Sequence, residues 1–441
     1  MLQNRPVDMP PVVREIRAAS DVDALARALR GAPGLAVLRS DPRGALRPED
    51  AATSFLACDP VETSQAWVPA QVEGEAARGW SGRFAAPRWV GLVPYEAMRG
   101  IERPRRGRSP DGRAAPIFEK PVWNRYDAVV RVDHATGRVA IEADDLSAAD
   151  RLAARLARSG EARAFEVMLL PARESEGAHA ERIRAALESI AAGDIYQVNL
   201  ARAIDLELRA GDPLDVFLAL YRASPAPYGF FADFGGKAVC AASPELALEV
   251  RGDRLRTAPI KGTRPRGQDA GADLALARGL DADPKERAEL TMAIDLHRND
   301  LGRVAAIGSV RVPSPPRVLA GRTVWSRVAE VVARREAGAS LEAILRAVLP
   351  CGSVTGAPKV RAMEIVSQLE PVRRGAYTGA FGYVGRDGAL VMAVAIRTLE
   401  IGERGRGTYG AGGGIVADSD PEREVEETRW KAAQLAALLE G

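Results

Sequence analysis

One lysine stands out among the residues that could do chemistry. Lys261 lies in Pro259-Ile260-Lys261-Gly262-Thr263, directly after a strand-like run, in a chain that has only six lysines. Arginine stays charged, whereas a lysine amine that has lost its proton attacks carbon. The alternative is an ordinary solvated surface lysine. The surrounding motifs must therefore decide whether Lys261 forms a covalent bond to a substrate.

Two pairs of glutamates lie at the i, i+3 spacing of a helix. Glu424 and Glu427 share one face of a predicted helix with Lys431, and Glu286 with Glu289 opens another predicted helix. Carboxylate oxygens suit a hard dication that keeps several waters, so the two pairs indicate Mg²⁺ more than Ca²⁺. The alternative is a pair of solvated, salt-bridged helices.

Three further features could protonate or hold an anionic substrate. Glu245 lies between two predicted strands and is a candidate general acid if its pocket is partly dry. The glycine run 410–416 could bring backbone N–H groups close to a phosphate or carboxylate. Arg397 ends a buried-looking strand, where it clamps a carboxylate or forms a structural salt bridge. A plain turn is the alternative for Glu245 and for the glycines.

The composition restricts the class of protein. The 441 residues are 46% hydrophobic, which supports a large core in two or three domain-sized units. Lys+Arg is 61 and Asp+Glu is 59, so the net charge of +2 gives no reason to expect nucleic acid or a membrane surface as partner. No 18-residue apolar run occurs, and the N-terminus lacks the apolar core of a signal peptide.

The cysteines and histidines indicate a reducing compartment and no zinc. Cys58, Cys240 and Cys351 are too scattered for a disulfide framework, so we expect a cytoplasmic protein. The chain has only three histidines, none of them paired at metal-ligand spacing.

The predicted strands are mostly joined by hairpins and not by βαβ crossovers. This pattern predicts an α/β chain of the α+β type. A change in composition divides it into an N-terminal subdomain, residues 1–160, and a catalytic region, residues 165–441. The periodicity predicts helices over 213–223, 272–279, 284–297, 340–348, 358–368 and 421–440.

From about residue 190 to 435, an ordered set of motifs resembles the chorismate-utilising enzymes. The set comprises Gly193–Leu200, Ser243–Glu245, Pro259–Thr263, Lys285–Glu289, Asp295–Gly302, Gly352–Lys359, Gly375–Gly379 and Gly412–Lys431. The resemblance implies a large two-subdomain β-sandwich core with helices packed outside.

The same resemblance implies the substrate and the role of each site residue. Chorismate would bind with Mg²⁺ near its C1 carboxylate, and Glu245 would protonate the departing C4 hydroxyl. The implied metal ligands are Glu289, Glu424 and Glu427, with Glu286 close by. The implied substrate-binding residues are Thr263, Tyr377, Arg397, Gly412, Gly413, Gly414 and Lys431.

Two positions distinguish members of this family. Gln197 stands where isochorismate and salicylate synthases carry a lysine base, which argues against water as the nucleophile. Lys261 stands where anthranilate synthases usually have alanine, and in this it resembles component I of the aminodeoxychorismate synthases. There the lysine amine is proposed to add at C2, after which ammonia adds at C4. The product is 4-amino-4-deoxychorismate, the precursor of 4-aminobenzoate and folate.

The chain also departs from the family pattern. Ser326 stands where many relatives have a pocket histidine, and Arg39, before Ser40, replaces a glutamate that binds tryptophan in relatives, which argues against tryptophan feedback. No glutaminase motif is recognised, so ammonia is expected from a separate glutamine amidotransferase subunit or from solution. Two alternatives stay open: component I of an anthranilate synthase, which also eliminates pyruvate, and a non-catalytic chorismate-binding subunit.

Overall fold

Antiparallel strands make up most of the molecule. The computed structural model describes residues 11–16, 18, 20–72, 86–99, 111–158 and 160–439. The strands are β1 (Val12–Glu15), β2 (Ala36–Arg39), β3 (Thr53–Ala57), β4 (Glu62–Ser64), β5 (Pro87–Val93), β6 (Val122–Arg125), β7 (Ala128–Asp133), β8 (Val139–Ala143), β9 (Glu166–Leu169), β10 (Gln197–Ala210), β11 (Tyr228–Asp233), β12 (Ala238–Ser243), β13 (Leu246–Arg251), β14 (Arg254–Ala258), β15 (Ile260–Pro265), β16 (Arg317–Ala320), β17 (Val324–Val328), β18 (Val331–Arg334), β19 (Gly356–Ala357), β20 (Ala380–Gly385), β21 (Leu390–Val394), β22 (Thr398–Ile401) and β23 (Arg406–Ile415).

Helices lie on the outside of the sheets. They are α1 (Val22–Ala28), α2 (Tyr95–Met98), α3 (Leu146–Leu156), α4 (Glu176–Ala191), α5 (Pro213–Ala223), α6 (Ala270–Ala282), α7 (Pro284–Gly302), α8 (Leu341–Val348), α9 (Lys359–Leu369) and α10 (Pro421–Ala432). Short 3₁₀ segments cover Gly352–Val354 and Ala433–Leu438, so the predicted helix 421–440 changes character after Ala432.

Two large sheets pack face to face. One runs in the order β1-β8-β7-β3-β2-β11-β12-β22-β23-β10-β19, with β9 also on β10, and the other runs β18-β14-β13-β21-β20-β5-β6-β4. Between them lies a buried apolar layer in which the rings of Phe230 and Phe381 stack with centroids 4.6 Å apart. Separate apolar clusters fill the space between each sheet and its outer helices. The predicted α+β sandwich with helices outside is confirmed.

Aspartate–proline pairs begin three of the helices. Asp212, Asp283 and Asp420 each cap a helix by accepting a backbone N–H, and each is followed by proline. Proline suits the first helical position because its missing N–H would have no partner there. These local signals explain why the starts of α5, α7 and α10 were predictable from sequence.

A third, small sheet carries Lys261. After β14 the chain passes Pro259 and enters β15, which pairs with β17 in the order β15-β17-β16. Helices α6 and α7 pack against β15. Lys261 therefore lies on a short sheet at the end of the sandwich, next to the helix that bears Glu286 and Glu289.

The glycine run 410–416 is not the plain turn that was the alternative interpretation of the sequence. Gly410 to Ile415 belong to β23, which pairs with β10 from Glu207 to Val198. The run is extended, its ladder with β10 occupies one edge of the strand, and β22 pairs on the other edge only as far as Tyr409. The angle φ is positive at none of Gly410, Gly412, Gly413 or Gly414. The missing side chains of these glycines let side chains from other elements approach the backbone of β23.

Both large sheets contain strands from either side of residue 160. In the first sheet β2 pairs with β11, and in the second β5 pairs with β20. The division into residues 1–160 and 165–441 stays a prediction.

No helix among the described residues is long and apolar enough to cross a membrane. Cys58, Cys240 and Cys351 are free and buried. The first ten residues, on which the expectation of no signal peptide rests, lie outside the described part.

Candidate active site

A buried carboxyl group lies at the junction of β12 and β13. Glu245 is 2% exposed, and Ser353 Oγ donates a 2.6 Å hydrogen bond to its Oε1. Burial raises the pKa of Glu245 to about 7, against the opposing effects of Ser353 and the charge of Lys261. A carboxyl group with such a pKa is protonated in a large fraction at neutral pH and is suited to donate a proton.

Lys261 lies between this acid and the helical glutamates. Its charge lowers the pKa of Glu245, of Glu289 and of Glu427, so all three carboxyl groups lie within its field. Its Nζ is 3.3 Å from the point that a Cβ on Gly414 would occupy. The lysine amine thus faces the glycine strand β23 from the small sheet.

One face of β23 is made of glycines so that side chains can approach its backbone. Residues two apart on a strand share a face. A Cβ added at Gly410, Gly412 or Gly414 would lie 3.0 Å or less from an atom of a neighbouring side chain. The pairs are Gly410 with the Tyr377 ring at 2.2 Å, Gly412 with Asn199 Oδ1 at 3.0 Å and Gly414 with Gln197 Nε2 at 2.7 Å. Any larger residue would fill this space.

The opposite face of β23 meets the glutamates of α10. A Cβ on Gly413 would lie 3.0 Å from Glu424 Oε2. Ser419 Oγ donates a 2.7 Å hydrogen bond to Glu424 Oε1, and burial together with the charge of Glu427 raises the pKa of Glu424. Lys431 Nζ lies 2.6 Å from Glu427 Oε1 and donates a 2.8 Å hydrogen bond to the carbonyl of Gly412.

The glutamates of α7 lie close to those of α10. Burial raises the pKa of Glu289, and the charges of Glu286 and Glu427 raise it further. Lys285 Nζ lies 3.9 Å from Oε1 of both Glu289 and Glu424, so one ammonium group links the two helices. The two predicted carboxylate pairs therefore surround a common space.

A largely buried guanidinium has no carboxylate partner among the described residues. Arg397 lies between β21 and β22 with φ at 51°, and its Nη1 donates a 3.0 Å hydrogen bond to Ser224 Oγ. Burial lowers its pKa. A buried cation without a counter-ion is costly, so this group is available to an anion from outside the chain.

Residues 35–437 match the family model described as "chorismate binding enzyme". The chain belongs to this family. It is 40% identical over 374 residues to "Anthranilate synthase component 1" of Streptomyces coelicolor, covering 79% of this chain and 72% of the relative. It is 39% identical over 372 residues to "Aminodeoxychorismate synthase" of Streptomyces griseus, covering 80% of this chain and 50% of the relative.

The curated relatives do not single out one activity. The two identities are almost equal, and a third relative, "Anthranilate synthase component 1" of Thermus thermophilus, is 47% identical over 271 residues, or 57% of its length. The chain thus spans about half to about three quarters of the relatives it matches.

Solved structures show the same fold at lower identity. Anthranilate synthase component I from Streptococcus pneumoniae has a TM-score of 0.70 at 24% identity, covering 99% of this chain and 94% of that one. The menaquinone-specific isochorismate synthase of Escherichia coli has a TM-score of 0.75 at 21% identity, covering 98% and 97%.

The four glutamates of α7 and α10 carry oxygen donors of the kind that Mg²⁺ prefers. No three or more His, Cys, Asp or Glu side chains in the described ranges are gathered closely enough to hold a metal as they stand. Three cations lie against these carboxylates, namely Lys285, Lys431 and Arg264. Arg264 donates a 3.0 Å hydrogen bond to Glu286 Oε1. The charges of Glu286 and Glu427 raise the pKa of Glu289, and the charge of Glu427 raises that of Glu424, so a dication bound there would favour the ionised carboxylates. The set Glu286, Glu289, Glu424 and Glu427 stays the predicted site.

Two of the predicted substrate-binding residues, Thr263 and Lys431, are exposed or half-exposed. Thr263 is exposed on β15, opposite the buried Ser326 of β17. Lys431 is half-exposed and holds Glu427 and the Gly412 carbonyl. Both assignments stay predictions, as do those of Tyr377, Arg397 and the glycines Gly412, Gly413 and Gly414. Tyr377 is buried against Gly410 of β23, and Arg397 is partly buried.

Sequence reasoning missed a buried histidine near the lysine. His297 is 1% exposed, neither ring nitrogen has a hydrogen-bond partner in the described structure, and burial with the charges of Lys359 and Lys261 lowers its pKa to about 3. His297 follows Glu286 by about three helical turns and so lies on the same face of α7, which was the available signal in the sequence. Asn199, also without a side-chain partner at Oδ1, was quoted in a motif but given no role.

A separate cavity of about 70 Å³ lies between the two large sheets and is lined in part by Arg39 and Ser40. Arg39 forms an ion pair with Asp23, and Arg256 in the same cavity forms one with Asp50. The expected lack of tryptophan feedback stays a prediction.

Proposed function

We propose that this chain is component I of an aminodeoxychorismate synthase, which converts chorismate and ammonia into 4-amino-4-deoxychorismate with Mg²⁺. The observation that carries the proposal is Lys261, whose amine faces β23 within the field of the buried acid Glu245. Alanine in that place would remove the only side-chain amine of β15.

The first step uses the amine and the acid together. Lys261 Nζ forms a bond to C2 of chorismate, both conjugated ring double bonds shift by one position toward C4, and the C4–O bond breaks. Glu245 gives its proton to the departing hydroxyl, which leaves as water. The proton lost by the lysine nitrogen is accepted by solvent or by the Glu245 carboxylate.

The second step reverses the first with a different nucleophile. Ammonia forms a bond to C4, both ring double bonds shift back, and the C2–N bond breaks to restore the Lys261 amine. One proton moves from the incoming nitrogen to the departing one. The net reaction exchanges a hydroxyl for an amino group and releases one water.

The remaining residues bind and orient the substrate. Arg397 supplies a cation for one substrate carboxylate, and Tyr377 packs across Gly410 to form a wall. Glu286, Glu289, Glu424 and Glu427 would hold Mg²⁺, which neutralises the other carboxylate when bound.

The proposed partner is a separate glutamine amidotransferase subunit that supplies ammonia, and the proposed location is the cytoplasm. Neither nucleic acid nor a membrane is expected as partner, in line with the near-neutral charge.

Product analysis tests the proposal. The chain is incubated with chorismate, Mg²⁺ and ammonium chloride. The products are separated by chromatography and identified by mass spectrometry. We expect 4-amino-4-deoxychorismate, which an added lyase converts to 4-aminobenzoate. Anthranilate fluorescence without added lyase would contradict the proposal and favour anthranilate synthase. Tight chorismate binding with no turnover would favour a non-catalytic subunit.

A further inference from the structure

The buried guanidinium of Arg374 connects three segments of the chain that border the candidate active site. It donates to both carboxylate oxygens of Glu370, at 2.6 and 2.9 Å, and the two side chains are each 2% exposed. It also donates to the Asn199 carbonyl at 2.6 Å, the Thr378 hydroxyl at 3.1 Å and the Val354 carbonyl at 3.3 Å. These contacts use all five N–H donors of an arginine, whereas a lysine has three.

The first of these segments places the partner of the buried acid. Val354 ends the short 3₁₀ segment Gly352–Val354, and its neighbour Ser353 donates the 2.6 Å hydrogen bond to Glu245 Oε1. Because Arg374 holds the Val354 carbonyl, it restrains the backbone that carries the Ser353 hydroxyl.

The second segment presents the Tyr377 ring to β23. Thr378 has φ at 58°, a left-handed conformation that is rare for a β-branched residue. Its hydroxyl accepts the Arg374 hydrogen bond and donates one of 2.7 Å to the Tyr377 carbonyl. Such a strained residue persists only where its surroundings hold it, and here it directly follows the ring that packs on Gly410.

The cluster around Arg374 is itself held on several sides. Glu370 Oε1 accepts the Ala201 N–H of β10 at 2.9 Å, and Glu96 Oε1 accepts the backbone N–H of Arg374 at 2.9 Å. The Tyr95 ring lies with its centroid 4.8 Å from the guanidinium carbon. A buried ion pair is weak evidence for stability, so a pair with this many directed contacts to site segments points to a role in placing them.

We propose that Arg374, held by Glu370, is a positioning residue that places Ser353 against Glu245 and the Tyr377 ring against β23 at the same time. The inference rests on the proposed function, in which Glu245 is the acid and Tyr377 a wall of the substrate site. Since all donors of Arg374 are used within the protein, it acts through these residues and not by binding chorismate.

The pH dependence of chorismate consumption by the full chain tests the link to Ser353. Arg374→Lys keeps the charge and loses at least two of the five hydrogen bonds. The Ser353 hydroxyl favours ionised Glu245, so loosening it should move the basic limb of kcat/KM to higher pH, by up to about one unit. In the Ser353→Ala background the same substitution should move the limb no further, because the contact through which it acts is already gone.

Thr378→Val tests the link to Tyr377 without a change of charge or shape. We expect the KM for chorismate to rise about fivefold, the size of one lost hydrogen bond, with the basic limb unmoved. Arg361→Lys is the matched control and should change neither quantity, because Arg361 is a half-exposed arginine of α9 paired with Asp194 and Glu364.

An unmoved limb in Arg374→Lys, or an equal further shift in the Ser353→Ala background, overturns the proposal, as does an unchanged KM in Thr378→Val. If Arg374→Lys does not fold, Thr378→Val decides alone. Chorismate consumed without 4-amino-4-deoxychorismate would overturn the proposed function, while the limb and KM would still test Arg374. If no chorismate is consumed, the proposed function also falls, and the chorismate Kd of Thr378→Val from calorimetry takes the place of KM.

Discussion

Ser353 Oγ and Glu245 Oε1 are joined by a 2.6 Å hydrogen bond inside the protein, with both residues less than 5% exposed. The hydroxyl donates to the carboxyl group and favours its ionised form, whereas burial favours the protonated form and raises the pKa to about 7. The balance between these two effects sets the pH at which the proposed acid is protonated.

Removing the Ser353 hydroxyl should shift the pH profile. A general acid works when protonated, so activity is lost as pH rises through its pKa. Ser353→Ala raises the pKa of Glu245 further, and we expect the basic limb of kcat/KM to move up by about one pH unit. Glu245→Gln should remove this limb and lower kcat about 10²–10⁴-fold. An unmoved limb in Ser353→Ala would show that another group is the acid.

Arg397 should contribute to substrate binding at the expense of stability. Its guanidinium is largely buried and lacks a carboxylate partner among the described residues, so Arg397→Met should leave the unfolding temperature unchanged or raise it. The KM for chorismate should rise about 10–100-fold, the effect of a lost charge-assisted bond. Ser224→Ala, which removes only the 3.0 Å contact, is the control and should change KM little. A destabilised Arg397→Met variant with normal KM would mean a structural arginine.

A single methyl group on β23 should abolish most activity without unfolding the chain. In Gly414→Ala the new Cβ would lie 2.7 Å from Gln197 Nε2 and 3.3 Å from Lys261 Nζ, and these groups must move. A displacement of this size is expected to lower kcat about 100-fold. Gly402→Ala, whose Cβ meets nothing closer than 3.5 Å, is the matched control. Equal effects of the two substitutions on rate would contradict the assigned geometry.

The glutamates of α10 should bind a divalent cation directly. We expect Glu424→Gln to weaken Mn²⁺ binding, followed by electron paramagnetic resonance, at least tenfold, because a carboxylate ligand is lost. Glu426→Gln, exposed on the same helix, should have little effect. Since Glu289 and Glu424 have raised pKa values, affinity should also fall as pH is lowered, when protons compete with the metal. Equal losses in the two variants would indicate only a general charge effect.

Local signals explain what the sequence could predict. The Asp–Pro caps at Asp283 and Asp420 mark helix starts through contacts within a few residues. Glu245 and Lys261 were singled out from their local sequence and given their roles by resemblance, and the structure places them within one electrostatic field. The burial of Glu245 could not be read from the chain, because it depends on Ser353 and other residues distant in sequence.

The glycine run shows why the rest was not predictable. The four glycines Gly410, Gly412, Gly413 and Gly414 can adopt the backbone conformations of a turn as readily as those of a strand. What decides between them is the ladder with β10 and the approach of Tyr377 and Gln197, which come from other parts of the chain. The lack of hydrogen-bond partners at Asn199 Oδ1 and at the His297 ring likewise depends on tertiary packing.

The covalent role of Lys261 is the central claim, and peptide mass spectrometry of the quenched protein tests it most directly. The chain is mixed with chorismate and Mg²⁺ without ammonia, quenched in acid, digested and sequenced. We predict an adduct with the mass of chorismate less one water on Lys261, which disappears when ammonia is added. It should be absent in Lys261→Ala and retained in Lys120→Ala, an exposed lysine outside the site. Full aminodeoxychorismate formation by Lys261→Ala, with no adduct on the unaltered chain, would contradict the account.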